Sequence, residues 1–259
     1  MRIQHNIMAL NAHRNAGVNQ SNVSKNMEKL SSGYRINRAG DDAAGLSISE
    51  KMRSQLRGLS QASRNAQDGI SFIQTAEGAL NEVSSMLTRA KELHVQKANG
   101  TYSTEDKANI DAELTSLDEE IKNIIANTEF NGMNVFSELD VSIAISHDAA
   151  ITLEINPTAS GALAIDLSGA ANASGVDTLI DTVNTKRAEY GALQNRLEHT
   201  INNLGTTTEN LVAAESRIRD VDMASEMMEM TKNNILAQAA QAMIAQANQQ
   251  PQSVLQLLR

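Results

Sequence analysis

Apolar residues recur at every seventh position over the longest stretch of the sequence that no proline interrupts. Between residue 48 and about residue 96 the row is Met52, Leu59, Ala66, Ile73, Leu80, Leu87 and His94. A partial second row, Leu56, Ser63 and Ile70, stands three residues before members of the first. This spacing predicts one long coiled-coil helix, and about 49 residues would extend roughly 75 Å. Such a helix needs partner helices to bury its apolar stripe.

Two later segments have patterns that suit those partners. Ser103 to Asp106 resembles a capping box, and Ile110, Leu114, Leu117, Ile121 and Ile124 follow at alternating spacings of four and three. A seven-residue row returns after residue 176, with Val183, Tyr190, Leu197, Leu204, Leu211 and Ile218. We predict that the first segment is antiparallel to the long helix, because only a short turn separates them, and that the second is another partner.

The two ends of the chain predict weaker helices. The apolar residues of the first 33 are Ile3, Ile7, Leu10, Val23, Met27 and Leu30. The asparagines among them lower helix propensity, so this amphipathic helix needs a partner, and Gly33 suits its C-cap. Residues 220–259 are rich in Met, Ala and Gln, which favours close packing on other helices. We predict a helix that Pro251 breaks and that pairs with residues 1–33.

The middle of the chain differs in pattern from the rest. Residues 141–145 and 151–155 alternate apolar and polar side chains, which predicts a β-hairpin, and residues 163–167 are a candidate third strand. The expected fold is therefore mainly α, an elongated antiparallel coiled-coil bundle of long helices. A small β-hairpin region is expected at about 138–168.

Composition narrows the class of protein. Aromatic residues are 2% of the 259 residues and tryptophan is absent, which is unlike a compact enzyme core. The net charge of −9 argues against binding to nucleic acid, which needs a clustered basic surface. The first residues hold no apolar run fit for a signal peptide or a membrane span, so we expect neither insertion into a membrane nor secretion by a cleaved signal.

No motif predicts catalysis, a cofactor or a metal site. The five histidines lack the HExxH spacing, and GxSxG, P-loop and GxGxxG motifs are absent. Asp41 and Asp42 could be a carboxylate pair for acid–base or metal chemistry, but capping of the next helix and pairing with Arg35 and Arg38 is the favoured interpretation. Methionines 223–230 could bind a soft metal, and packing is again favoured. We predict a protein that is not an enzyme.

Several segments resemble bacterial flagellin. They are residues 1–6 (MRIQHN), 9–12 (ALNA), 30–37 (LSSGYRIN), 41–46 (DDAAGL), 128–132 (TEFNG), 247–252 (ANQQPQ) and 257–259 (LLR). The resemblance implies a structural subunit that polymerises into the flagellar filament for motility. It implies a terminal core domain of paired helices, 1–44 with 219–259, unordered in the free monomer, and a helical rod domain, 45–218.

The resemblance also implies location and partners. The subunit would be secreted through the flagellar export apparatus, with a chaperone on its C-terminal region, into an extracellular filament that meets hook-associated and cap proteins. Assembly would use Ile3, Ile7, Leu10, Leu255, Leu257 and Leu258. Only residues 135–175 separate the helical halves, which indicates a short form without large outer domains. A hook-associated junction protein and, more remotely, a cytoplasmic signalling coiled coil are the alternatives.

Residues 87–96 (LTRAKELHVQ) resemble the segment by which many flagellins engage the flagellin-sensing Toll-like receptor of vertebrates. The resemblance implies contacts by Arg89, Glu92, Leu93 and Gln96, with Glu113 on the neighbouring helix. With Leu87 at heptad position d, Leu93 falls at the outward position c. A straight helix drifts by roughly 20° per heptad, however, and Met86, Ala90 and Leu93 form an alternative stripe. Exposure and partial burial of Leu93 both remain open.

Overall fold

The computed structural model describes residues 6–136, 141–146, 148, 152–155, 165–167 and 172–257. Within these residues the helices are α1 Ile7–Ser32, α2 Ala43–Ala98, α3 Thr104–Asn127, α4 Ala173–Arg219 and α5 Met223–Leu257. The strands β1 Glu129–Phe130, β2 Met133–Asn134, β3 Val141–Ala144 and β4 Thr152–Ile155 form two antiparallel pairs, β1 with β2 and β3 with β4. The predicted mainly α fold with a mid-chain β-hairpin is confirmed.

The chain divides into two compact units. The first unit comprises Met1–Ser54 with Leu211–Arg259, and the second comprises Gln55–Asn210. Helices α2 and α4 contribute residues to both units. The first unit is thus discontinuous in sequence, whereas the second is a single stretch.

In the second unit, α2 is antiparallel to both α3 and α4. Lys91 of α2 pairs with Asp177 near the start of α4 at 2.6 Å, and Glu77, two heptads earlier in α2, pairs with Arg187 further along α4 at 3.8 Å. Toward α3, Lys97 pairs with Asp111, and Arg89 pairs with a later residue, Glu113. Residue numbers rise on one helix as they fall on the other, which defines the antiparallel arrangement predicted for α3.

The seven-residue row of α2 lies in the core, as the periodicity predicts, with Leu59, Ala66, Ile73, Leu80 and Leu87 buried. The accompanying row differs from the expected one. Ile70 is only half-buried, and the buried second row stands three residues after the first: Ala62, Gly69, Ala76, Val83 and Ala90. Its side chains are small, so neighbouring elements can approach the α2 backbone on that side. A search for large apolar residues overlooks such a row.

The partner helices contribute their predicted rows to the same core. Ile110, Leu114 and Ile121 of α3 are buried, as are Val183, Tyr190, Leu197 and Leu204 of α4. The predicted capping box is present: the Ser103 hydroxyl accepts from the backbone N–H of Asp106, and the Asp106 carboxylate accepts from the backbone N–H of Ser103, both at 3.1 Å. The Ser103 hydroxyl also donates to the Asp106 carboxylate at 2.7 Å. This hydrogen bond, and then the one from the Ser103 backbone N–H, hold the pKa of Asp106 below its ordinary value.

The β segment packs on the small-residue side of α2. A Cβ atom on Gly69 would lie 2.2 Å from Cδ1 of Ile143 in β3, so glycine makes room for that strand. Phe72 of α2 meets Phe130 of β1 edge to face, with ring centroids 5.8 Å apart. Asn131 and Gly132, which join β1 to β2, both have positive φ, as a two-residue hairpin turn requires.

Two sequence predictions are wrong. Residues 165–167 form no strand (163 and 164 lie outside the described residues); instead, the backbone N–H of Leu167 donates to Oδ1 of the buried Asp118 at 2.9 Å. The Asp118 carboxylate thus accepts the backbone N–H of Leu167, which a carbonyl of a neighbouring strand would accept in a sheet. Helix α5 also continues through Pro251 to Leu257. A proline removes one helical hydrogen bond, but the turns on either side keep theirs, so the helix need not end there.

Candidate interaction surfaces

Helices α1 and α5 pair in the first unit through seams of mostly small residues. The less exposed positions of α1 alternate at three and four: Ala9, Ala12, Ala16, Asn19, Val23, Asn26 and Leu30. The matching positions of α5 are Glu226, Met230, Asn233, Ala237, Ala240, Ile244 and Ala247. Alanine on both seams lets the two backbones approach closely. The pair is antiparallel, because Asn6 Nδ2 donates to the carbonyl of Ala247 at 2.7 Å while Lys29 lies 3.9 Å from Glu226.

A polar cluster sits at the end of this seam nearest Gly33. Its partners orient the amide of the buried Asn26: Nδ2 donates to Glu226 Oε1 at 3.1 Å and to the carbonyl of Asn22, and Oδ1 accepts from Asn233 Nδ2 and from the N–H of Met230. All the hydrogen-bonding capacity of the amide is therefore used. In the sequence analysis the asparagines of α1 count only as residues of low helix propensity. The signal for the seam was the recurrence of alanine and asparagine at spacings of three and four residues.

Most of the large apolar residues of both helices face outward, although Leu30 and Ile244 lie in the seam. Leu10 is 73% exposed and Ile7 58%, so neither packs in the seam, and their role in assembly stays a prediction. The small residues of the seam permit a closer approach, which turns the large ones away. The exposed set on the two helices is Ile7, Met8, Leu10, Val18, Met27, Met223, Met227, Met228, Ile235, Leu236 and Met243. We call this set the outer apolar surface.

Few charges interrupt the outer apolar surface from Ile7 to Val18 and from Ile235 to Met243, whereas charged residues such as Glu28 and Glu229 stand beside its other members. From Asn233 to Leu257, α5 carries no Asp, Glu, Lys or Arg, and between Ile7 and Ser24 the only such residue of α1 is Arg14. A surface of apolar and amide groups with little charge can be buried against an identical surface without repulsion. Ile3 and Leu258 lie outside the described residues. Leu255 and Leu257 belong to α5, and their side chains lie outside the described part of the chain.

The segment that follows α1 is fastened to the end of α4. The N–H of Arg35 donates to the carbonyl of Arg219 at 2.7 Å, and the N–H of Val221 donates to that of Gly33 at 3.0 Å. The Arg219 guanidinium stacks 4.7 Å from the Tyr34 ring centroid and bonds Glu50 at 2.8 Å. Backbone and side-chain contacts therefore fix where α1 ends and α5 begins.

Asp42 caps α2, which is the interpretation that the sequence favoured, whereas Asp41 closes the turn before it. Asp42 accepts from the N–H of Gly45 at 2.8 Å, in the first turn of α2. Asp41 accepts from the N–H groups of Arg38 and Asn37, which hold the pKa of its carboxyl below the ordinary value. The expected contact with Arg38 is made through its backbone N–H, and the guanidinium groups of both arginines have other partners. Arg38 pairs with Glu28 at 2.8 Å, and Arg35 donates to the carbonyl of Ile218.

A charged patch lies on the exposed side of α2 and α3. The Arg89 guanidinium donates through Nε and Nη2 to Glu113 Oε1 at 3.1 and 3.0 Å, and through Nη1 to Glu92 at 3.2 Å. These hydrogen bonds, first of all those with Glu113, raise the pKa of Arg89. Gln96 donates to the Tyr102 hydroxyl at 3.2 Å. Four of the five residues implied by the receptor resemblance thus lie exposed on these two adjacent helices.

Leu93, the fifth, is buried in the core at 1% exposure. The outward position given by the heptad row is wrong, and the local stripe through Ala90 and Leu93 is the one that faces inward. Both α3 and α4 contact this end of α2, through the ion pairs of Lys97 and Lys91. The buried face of α2 is therefore wider there than the seam of a two-helix coiled coil.

Among the described residues, no three His, Asp or Glu side chains are grouped to hold a metal ion. The same residues include no helix with an apolar stretch that would span a bilayer. The phenol of Tyr190 is buried, which raises its pKa to about 12, so it is a neutral core group.

Comparison with known proteins extends over nearly the whole chain. Residues 3–140 match the bacterial flagellin N-terminal helical region, and residues 173–258 match the bacterial flagellin C-terminal helical region. The chain is 54% identical over 272 residues to a flagellin of Halalkalibacterium halodurans and 50% identical over 307 residues to one of Bacillus subtilis. It is 48% identical over 286 residues to the flagellar filament 33 kDa core protein of Treponema phagedenis. Each alignment covers 100% of both chains.

These matches confirm the resemblance read from the terminal segments and agree with the helical fold. At 259 residues the chain has no room for a large inserted outer domain. The chain belongs to the bacterial flagellin family, and it is a structural subunit that polymerises into the flagellar filament.

Proposed function

We propose that this flagellin assembles by burying the outer apolar surface of α1 and α5 against other copies of the chain. The observation that carries the proposal is the arrangement of the terminal pair: alanines and asparagines make up most of the inward seam, while most of the large apolar residues face outward. In a monomer these exposed side chains remain in water and do not add to stability. In a polymer the same side chains would be buried in the interface between copies and would stabilise it.

The free energy gained by burying these side chains between copies is large enough to drive assembly. Complete burial of one leucine, isoleucine or methionine side chain contributes about 1.5–3 kcal/mol, and about 1.4 kcal/mol is tenfold in an equilibrium constant. Leu10 and Leu236 lie on α1 and α5 respectively and are both exposed. Leu10 is 73% exposed and Leu236 42%. Scaled by these exposed fractions, burial between copies would raise subunit affinity about six- to forty-fold for Leu10 and about three- to eight-fold for Leu236.

The test is polymerisation of a Leu10→Ser, Leu236→Ser double variant. We expect the critical concentration for filament growth from seeds to rise by about a hundredfold, measured by sedimentation and electron microscopy. Asn11→Ser is the matched control, since Asn11 is an exposed polar neighbour of Leu10 on α1. Filament growth by the double variant at the wild-type critical concentration would refute the proposal.

Family membership supports the wider setting of the same function. The subunit passes through the flagellar export apparatus, a chaperone binds its C-terminal region, and the extracellular filament is bounded by hook-associated and cap proteins. The terminal helices, residues 1–44 and 219–259, form the assembly core, to which Ile3, Leu255, Leu257 and Leu258 contribute. Removing α5 from the secreted protein and assaying export and chaperone binding separately from polymerisation tests this assignment.

A second function is recognition of the monomer by the vertebrate flagellin-sensing Toll-like receptor. Its support is the exposed patch in which Arg89 is held by Glu92 and Glu113, with Gln96 beside it. Since arginines at the centre of interfaces often dominate binding, Arg89→Ala should raise the half-maximal signalling concentration by about tenfold. Leu93 contributes by fixing α2 to the core and not by touching the receptor.

Arg64→Ala is the control for receptor signalling, because Arg64 is another exposed arginine of α2. Signalling is measured with monomers in cells that express the receptor. An unchanged dose-response for Arg89→Ala, or an equal loss for Arg64→Ala, would remove the patch as a contact site.

A further inference from the structure

Methionines are concentrated on the exposed side of the terminal helices. Of the 11 methionines in the sequence, Met8, Met27, Met223, Met227, Met228 and Met243 belong to the outer apolar surface. Met228 is 69% exposed and Met243 57%. Met228 stands seven residues before Ile235, and Met243 stands seven after Leu236, so each shares a helix face with another exposed apolar side chain.

The sequence contains no sulfur group that reacts with peroxides more readily than methionine does. Cysteine is absent, so no thiol competes for the oxidant or forms a disulfide in response to it. The remaining sulfur groups are thioethers, and exposure governs how readily they react. Within the described residues Met52, Met86 and Met230 are half-buried, which leaves the terminal helices as the region with the most accessible thioethers.

We propose that Met228 and Met243 form an oxidation site at which hydroperoxides block polymerisation of free subunits. In the reaction the peroxide transfers one oxygen atom to the thioether sulfur. The sulfur is oxidised by two electrons to a sulfoxide, and hydrogen peroxide is reduced to water. The product is polar, so its burial against an apolar surface of another copy is unfavourable. This inference rests on the proposed burial of the outer apolar surface between copies.

The same geometry makes the sensitivity depend on the state of assembly. A free subunit exposes both sulfurs to solvent, whereas a subunit in the filament covers them with its neighbours. Oxidation therefore prevents new subunits from joining and leaves existing filaments intact. Sulfoxides are reduced by methionine sulfoxide reductases with a thiol reductant, so the block is reversible.

The experiment treats free full-length subunits and preformed filaments with hydrogen peroxide and maps sulfoxides by peptide mass spectrometry. We expect Met228 and Met243 to react at least about ten times faster in free subunits, in line with their exposure. Oxidised free subunits should show about a tenfold or greater rise in critical concentration, and reductase with a thiol should restore it.

The decisive variant is Met228→Leu with Met243→Leu, which keeps both positions apolar but removes the sulfur. Before peroxide treatment it should polymerise normally. After treatment it should lose less polymerisation than wild type, although Met8, Met27, Met223 and Met227 remain on the outer apolar surface. Met133→Leu is the matched control, because Met133 is 43% exposed but lies in β2 of the second unit, and this variant should lose polymerisation as wild type does.

Equal loss of polymerisation by the double leucine variant and wild type would overturn the proposal, as would normal polymerisation of wild type carrying both sulfoxides. Neither result would affect the burial of the outer apolar surface, which the serine variants of Leu10 and Leu236 test without any sulfur chemistry. If the serine variants polymerise normally, the proposed assembly surface fails first, and the oxidation site fails with it.

Discussion

The two units of this flagellin use apolar residues in opposite ways. In the second unit, Leu80, Leu87 and Leu197 lie completely buried among α2, α3 and α4. In the first unit, most residues of the seam of α1 and α5 are alanine or asparagine, while Leu10 and Ile235 remain in solvent. The second unit thus has a core of its own. The first has a thin seam and an unburied surface, which is the pattern of a segment completed by its neighbours.

This difference explains how one chain can be both a stable building block and a polymer. Buried apolar area supplies most of the stability of a folded unit. If α1 and α5 had paired through their large residues, the apolar area of those residues would already be buried within one chain. Because mostly small residues make the intrachain seam, most of the large ones stay exposed and are available for the proposed contacts between copies.

The largest effect on the free energy of unfolding is expected from a substitution that creates a cavity in the core of the second unit. Leu80→Ala should lower the free energy of unfolding of the monomer by about 2–5 kcal/mol, since Leu80 is fully buried and its surroundings collapse only partly. Leu10→Ala, the same change at an exposed site, should cost less than about 0.5 kcal/mol. Urea denaturation followed by circular dichroism measures both. Similar losses of unfolding free energy for the two variants would contradict the difference proposed between the two units.

A smaller effect is expected from the buried carboxylate of α3. Asp118 accepts the backbone N–H of Leu167 at 2.9 Å and bonds Lys122 at 2.7 Å. Asp118→Ala leaves that buried N–H without its acceptor, so we expect a loss of about 1–3 kcal/mol in the same denaturation experiment. Glu120→Ala, an exposed change on the same helix, is the control. If both variants unfold at the same urea concentration, Asp118 does not fasten residues 165–167 to the core.

The smallest effect is expected at the start of α3. Ser103→Ala removes the hydroxyl that accepts from the N–H of Asp106 and should cost about 1 kcal/mol. Ser116→Ala, an exposed hydroxyl within α3 that bonds the carbonyl of Ala112, should cost less.

The cap also carries a pH dependence with a definite sign. The folded pKa of Asp106 is lowered from 3.8, so its contribution is present above that ordinary value and disappears as pH falls through the folded pKa. The stability difference between wild type and Ser103→Ala should therefore be constant near neutral pH and shrink in acid. A difference that grows on acidification would show that the Asp106 carboxylate does not strengthen the cap.

Sequence reasoning succeeded where large residues mark the buried face. The rows through Leu80, Ile110 and Leu197 predicted which faces of α2, α3 and α4 are buried, and the Ser103 cap and the Asn131–Gly132 turn followed from local chemistry. The terminal segments identified the family. Each of these features depends on residues close together in sequence, on one helix turn or one heptad.

Only the tertiary structure decided which of two possible stripes a helix uses. On α1 the stripe of Ile7 and Leu10 and the seam of Ala9, Ala12 and Asn26 are both periodic, and backbone proximity to α5 favours the smaller residues. On α2, contact with two helices at once draws Leu93 into the core. Periodicity along one helix shows which residues share a face, but which face is covered, and by how many neighbours, depends on partners that are distant in sequence.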